Sequence, residues 1–120
     1  MTAVTIPDAD TILGALRLAL PGIEVHEKAV RAAIQEATGL ARWPVDEPAA
    51  IFFAFGSRPR AVPALNAKLA PFLAREQALS HGLTLDVTPD ELRGLLTDIR
   101  SRVLSYDDVR AWFAARLPVD

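Results

Sequence analysis

Cysteine is absent from the 120 residues, which excludes disulfides, thiolate nucleophiles and Cys-ligated zinc. Histidine is scarce as well: His26 and His81 stand alone, neither with a partner at metal-ligand spacing. His26 lies among Glu24 and Glu27, and His81 at an expected helix end, where the dipole favours a cation, so both are expected on the surface. No apolar run approaches the roughly 20 residues of a membrane span, and Met1-Thr2-Ala3 lacks the basic start of a signal peptide. A cytoplasmic protein with no membrane partner is therefore expected. There is no Gly-rich phosphate loop and no G-x-S-x-G elbow. The formal charge of −2 argues against wrapping nucleic acid.

What the chain does have is 51% apolar residues, enough for one core at a length that suits one domain. Nine prolines and six glycines cut it into short pieces without repeats or low-complexity tracts. Pro7 is expected in a first helical turn, followed by Ile12, Leu13, Leu16, Ala19 and Leu20 on one face, closed by Pro21-Gly22. From residue 24 to 37 the set Ala29, Val30, Ala33, Ile34, Ala37 repeats the helical period, with Gly39 as a stop. Pro48 then opens a stretch to Phe55 that is apolar on all sides, as a central helix would be. The two prolines at 59 and 63 make 56–63 a loop. Helix is expected to resume near Ala64 and run to His81-Gly82, with a kink at Pro71. Residues 83–87 alternate with period two, as a short strand or extended segment would.

Thr88-Pro89-Asp90-Glu91 is a capping box, and Leu92, Leu95, Leu96 and Ile99 follow on one face. Ser105-Tyr106-Asp107-Asp108 opens a last helix, with Val109, Trp112, Phe113 and Leu117 inward and Pro118 ending it. Capping explains both carboxylate pairs, so neither is taken as catalytic. The fold class is all-α: about six helices around a central one, with at most a short extended segment or hairpin. Ile51, Phe52, Phe55, Leu69, Phe72 and Leu73 are expected in the core.

Between residues 48 and 75 there is no acidic side chain, while Arg58, Arg60, Lys68 and Arg75 give +4, leaving −6 on the remainder. These charges sit where a Pro-bounded loop feeds an expected helix start. Arg58 and Arg60 in the loop, with Asn66 and Lys68 in the first turn, form a candidate anion- or nucleotide-binding site. The competing reading is a solvated face of arginines.

The same order of features resembles the Fic/Doc family, the bacterial death-on-curing toxins. There an apolar helix leads into the pattern H-x-F-x-[DN]-[AG]-N-[KG]-R, which opens the central helix. That helix ends in Gly and is followed by a short apolar segment, a Pro-containing helix start and closing helices. Here residues 50–55, 60–68, the helix to Gly82, 83–87, Thr88-Pro89 and 105–117 fall in that order, and Gly22-Ile23-Glu24 resembles the family's early helix. Within the motif Asn66 matches, Lys68 stands for Arg and Val62 for Phe, while Arg60 replaces the family's catalytic His and Ala64 its metal-binding position. The resemblance implies transfer of AMP or phosphate to a protein hydroxyl. Arginine accepts no proton at neutral pH and alanine holds no magnesium, so no catalytic residue, metal ligand or cofactor is expected here.

The expected function is that of a toxin-type protein from a bacterial toxin–antitoxin or phage-related locus. It would bind a nucleotide, a phosphate or a partner segment such as an antitoxin, without the family's chemistry. The alternatives are a small interaction module whose arginines meet an acidic partner, and a divergent transferase.

Overall fold

In the computed structural model, which describes residues 5–117, the apolar stretch after Pro48 is helical and central. The helices are α1 (Ala9–Ala19), α2 (Glu27–Leu40), α3 (Glu47–Gly56), α4 (Leu69–Ser80), α5 (Pro89–Arg100) and α6 (Tyr106–Ala114). Single 3-10 turns occupy Pro44–Asp46 and Pro63–Leu65, and there is no strand among the described residues. Helix α3 packs against α2, α4, α5 and α6, most extensively against α4, while α1 leans on α2. Every α3 residue except Phe53 is buried. The Phe52 ring meets Phe113 at 5.4 Å between centroids, and Phe113 meets Trp112 at 5.3 Å.

The two closing helices form as their caps dictate. Thr88 Oγ1 accepts the Glu91 N–H at 3.1 Å while Glu91 accepts the Thr88 N–H, and Ser105 and Asp108 exchange the same pair of bonds. Leu92, Leu95, Leu96 and Ile99 are buried, as are Val109 and Phe113. Pro118 lies outside the described residues.

Three expectations need correction. Pro7 precedes helix α1 rather than entering it, because Asp8 is the cap and accepts the Thr11 N–H at 2.8 Å. Helix α2 starts late and ends late. Its approach segment is held extended by the His26 N–H on the Ala61 carbonyl (2.8 Å), and the helix runs through Gly39 to Leu40, where Ala41 turns extended. Residues 83–87 take the extended form, one of the two readings open for them, and pair with no strand among the described residues. Pro71 falls in the first turn of α4, where its missing N–H would have had no intrahelical partner, so it gives no cause for a kink.

Helices α4 and α5 end in the same Schellman geometry. The Leu83 N–H reaches the Ala78 carbonyl across Gly82, and the Val103 N–H reaches Asp98 across Arg102. Gly82 (φ 73°) and Arg102 (φ 59°) both lie in the left-handed region, but only arginine carries a Cβ that resists it. Arg102→Gly should therefore stabilise the protein by about 1 kcal/mol, and Gly82→Ala should destabilise it by a similar amount. Urea midpoints at constant slope check both, and an unchanged midpoint for Arg102→Gly would contradict the assignment of strain.

Candidate functional site

The loop from residue 57 to 68 hangs from the C-terminal end of α3 by two turns: the Arg58 N–H on Phe55 and the Ala61 N–H on Arg58. Ala61 and Val62 are buried and anchor the loop, so Arg60 and most of 63–68 face outward. The proposed binding residues separate on this frame. Arg58 turns inward, donating to Glu36 at 2.6 Å and to the Ala54 carbonyl at 2.9 Å; it staples α3 to α2. Arg60 and Lys68 are exposed and make no ion pair among the described residues.

The helix expected from Ala64 is instead a 3-10 turn followed by a loosely turned segment, with α4 beginning only at Leu69. Two prolines in nine residues, 63 and 71, leave no uninterrupted ladder to start earlier. Asn66 and Lys68 thus precede the helix, and its first-turn N–H groups begin beyond both. The Asn66 carbonyl accepts from the Arg100 guanidinium, which also donates to the Gly56 carbonyl at 3.2 Å. Ala64 is exposed, and no cluster of three or more metal-ligating side chains exists among the described residues.

Helix α4 turns its small residues toward α3. Its buried stripe is Leu69, Ala70, Ala74, Gln77 and Ala78, so Phe72, expected in the core, is 57% exposed and Leu73 is half-buried. Phe72 instead borders an apolar groove of about 410 Å³ between α1 and α4. Leu16 and Leu20 on one side face Leu69 and Leu73 on the other, and Lys68 supplies its one ionised lining residue.

Sequence inspection missed the buried carboxylates. Glu47 is fully enclosed at the start of α3; its Oε2 accepts the Thr5 N–H at 2.7 Å, and its Oε1 accepts from Gln77 and lies 2.8 Å from His81 Nε2. His81 is therefore half-buried against Glu47 rather than fully solvated, whereas His26 is exposed and paired with Glu24. The signal was present: a carboxylate next to a helix apolar on every side has to enter the core with it. Asp46, also buried, accepts from Arg110 Nε at 2.9 Å through Oδ1, while its Oδ2 and the Tyr106 hydroxyl have no partner among the described residues. Burial, and secondarily the Asp46 charge, pushes the Tyr106 phenol up to about 12. In the first cluster the Thr5 hydroxyl lies 3.4 Å from His81 Nε2 and 3.5 Å from Glu47 Oε1, and both clusters hold elements together.

Removing the orphaned hydroxyl should be harmless, so Tyr106→Phe should leave stability unchanged or raise it by up to about 1 kcal/mol. Glu47→Ala strips the Thr5, Gln77 and His81 groups of their shared partner and should cost about 3 kcal/mol or more. Chemical denaturation measures both, and a neutral Glu47→Ala would remove the carboxylate from its structural role.

Comparison of the chain with known protein families, with curated proteins and with solved structures finds no match in any of the three.

Proposed function

We propose that this chain is a recognition protein of the Fic/Doc-like, toxin type, whose loop at 57–68 engages an anionic group without transferring AMP or phosphate. The carrying observation is the contrast within one basic stretch. Arg58 is spent on Glu36 and Arg75 on the Val87 carbonyl, while Arg60 and Lys68 are exposed without a counter-ion among the described residues. Gathering like charges on an anchored loop costs stability that a bound anion would return. Carboxylates of an acidic partner segment fit better than a cradled phosphate, because the loop presents no glycine-rich run of backbone N–H groups and lies ahead of the α4 N-terminus. In a toxin–antitoxin or phage-related locus such a partner would be the antitoxin, with nucleotide phosphates as competitors for the same cations.

Titration of ATP and pyrophosphate at low salt tests the cations. Wild type should bind both weakly, with affinity falling as salt rises, and the Arg60→Ala, Lys68→Ala double variant should bind roughly five- to tenfold less tightly. Equal binding by the variant, or none by wild type, sinks the reading and leaves a solvated face. A second measurement addresses catalysis. With Arg60 and Ala64 at the family's base and metal positions, incubation with labelled ATP and protein acceptors should label nothing above background. Labelling that vanishes in Arg60→Ala would overturn the non-catalytic assignment.

A further inference from the structure

The end of α2 and the Pro44–Asp46 turn face α6 across a cleft of about 380 Å³. Among its lining residues Asp46 is buried and Tyr106 half-buried, while Arg42, Trp43, Asp107 and Arg110 are exposed. Asp46 stands at the cap position of α3, and aspartate is among the best caps, yet its side chain accepts nothing from that helix. It turns to α6 instead, where Arg110 satisfies Oδ1 and Oδ2 is left without a partner among the described residues. Only 6% of Asp46 is exposed, too little for bulk water to serve that oxygen. The Tyr106 hydroxyl is a second orphan of the same kind, close enough for the Asp46 charge to act on it. Buried polar groups are as a rule paired, so two orphans on one cleft mark bonds that a ligand would complete.

The remaining lining says which ligand. Arg42 and Arg110 balance Asp46 and Asp107, so the cleft carries both signs at fixed places and sums to zero. Arg42 makes no ion pair among the described residues. Trp43 is 51% exposed, has no aromatic partner among the described residues, and is presented from extended backbone that Pro44 enforces.

We infer that this cleft binds a free α-amino acid with an aromatic side chain, its ammonium group on Asp46 Oδ2 and the Tyr106 hydroxyl oxygen, its carboxylate on Arg42 and its ring against Trp43. An ammonium group brings three donors, enough for both orphans at once. A nucleoside phosphate would bring several negative charges to a lining that sums to zero, and a simple amine would leave Arg42 unanswered. A peptide carries its ammonium and its carboxylate at opposite ends, so a single amino acid alone offers both within one small cleft. The volume agrees, lying near the bottom of the roughly 300–1,000 Å³ range of small-molecule sites. No residue of the loop at 57–68 lines the cleft, and the inference stands independently of the anion reading.

The test is calorimetry on the full chain with four compounds: L-phenylalanine, N-acetyl-L-phenylalanine without the ammonium, L-phenylalanine amide without the carboxylate, and L-alanine without the ring. L-phenylalanine should bind with a Kd below about 1 mM, and each of the others at least about tenfold more weakly. Arg42→Ala should weaken L-phenylalanine by about tenfold and leave the amide as it was, since the amide has no carboxylate to lose. Trp43→Ala should weaken it about fivefold or more. Both side chains are exposed, and circular dichroism verifies that each variant stays folded. Tyr106→Phe should cost about two- to tenfold in binding although the unliganded protein keeps or gains stability, a split that a merely structural hydroxyl would not produce. No binding of L-phenylalanine up to about 10 mM would overturn the inference. So would equal binding of any of the three comparison compounds, or affinity unchanged in Arg42→Ala, Trp43→Ala or Tyr106→Phe.

Discussion

Helix α3, Glu47–Gly56, is enclosed on every side but one, and the rest of the fold is organised around covering it. A helix without a polar face needs neighbours all round, and α2, α4, α5 and α6 supply them. Each has a one-sided apolar stripe because each meets α3 on one side only. The chain enters this helix through Asp46 and Glu47, so two carboxylates are carried inside with it and must be answered there. Arg110 answers the first; Thr5, Gln77 and His81 answer the second. The polar bonds at that end tie the start of the described chain, the end of α4 and the face of α6 to the entrance of the central helix.

The elements with strong local signals were legible from the residues alone. The capping boxes at Thr88 and Ser105, the α3 core and the Gly82 stop all lie where side-chain chemistry places them. What was not legible depended on competition between distant groups. The start of α2 is set by a hydrogen bond from His26 to Ala61 across 35 residues, which no local pattern encodes. The face that α4 buries is set by its packing against α3, which takes the alanines at 70, 74 and 78 and leaves Phe72 on the surface, a choice between two apolar faces that the local pattern does not make. His81 illustrates the same limit: its partner Glu47 is 34 positions away.

The candidate site divides along the same line. That a cationic, acid-free stretch runs from 48 to 75 is plain in the sequence. Which of its charges are free is not, because Glu36 neutralises Arg58 from another helix and the Val87 carbonyl occupies Arg75. The groove beside Lys68 was invisible for a different reason. It is a surface left over when α1 is broader in its apolar arc than the neighbours it leans on, and a leftover has no motif.

Alanine dominates the face that α4 turns toward the core, at 70, 74 and 78, and α3 contributes Ala49, Ala50 and Ala54 to the same interior. Side chains that end at Cβ have no rotamers to exchange, so the pair lacks the usual means of yielding by repacking. The wall behind Leu69 and Leu73 is therefore stiff. Whatever lies against it loses its own freedom while the wall loses little, which keeps the entropic penalty of association on the visitor's side. Mutational drift at the alanines would be felt at a distance, as a change in the spacing of the trough rather than in its chemistry.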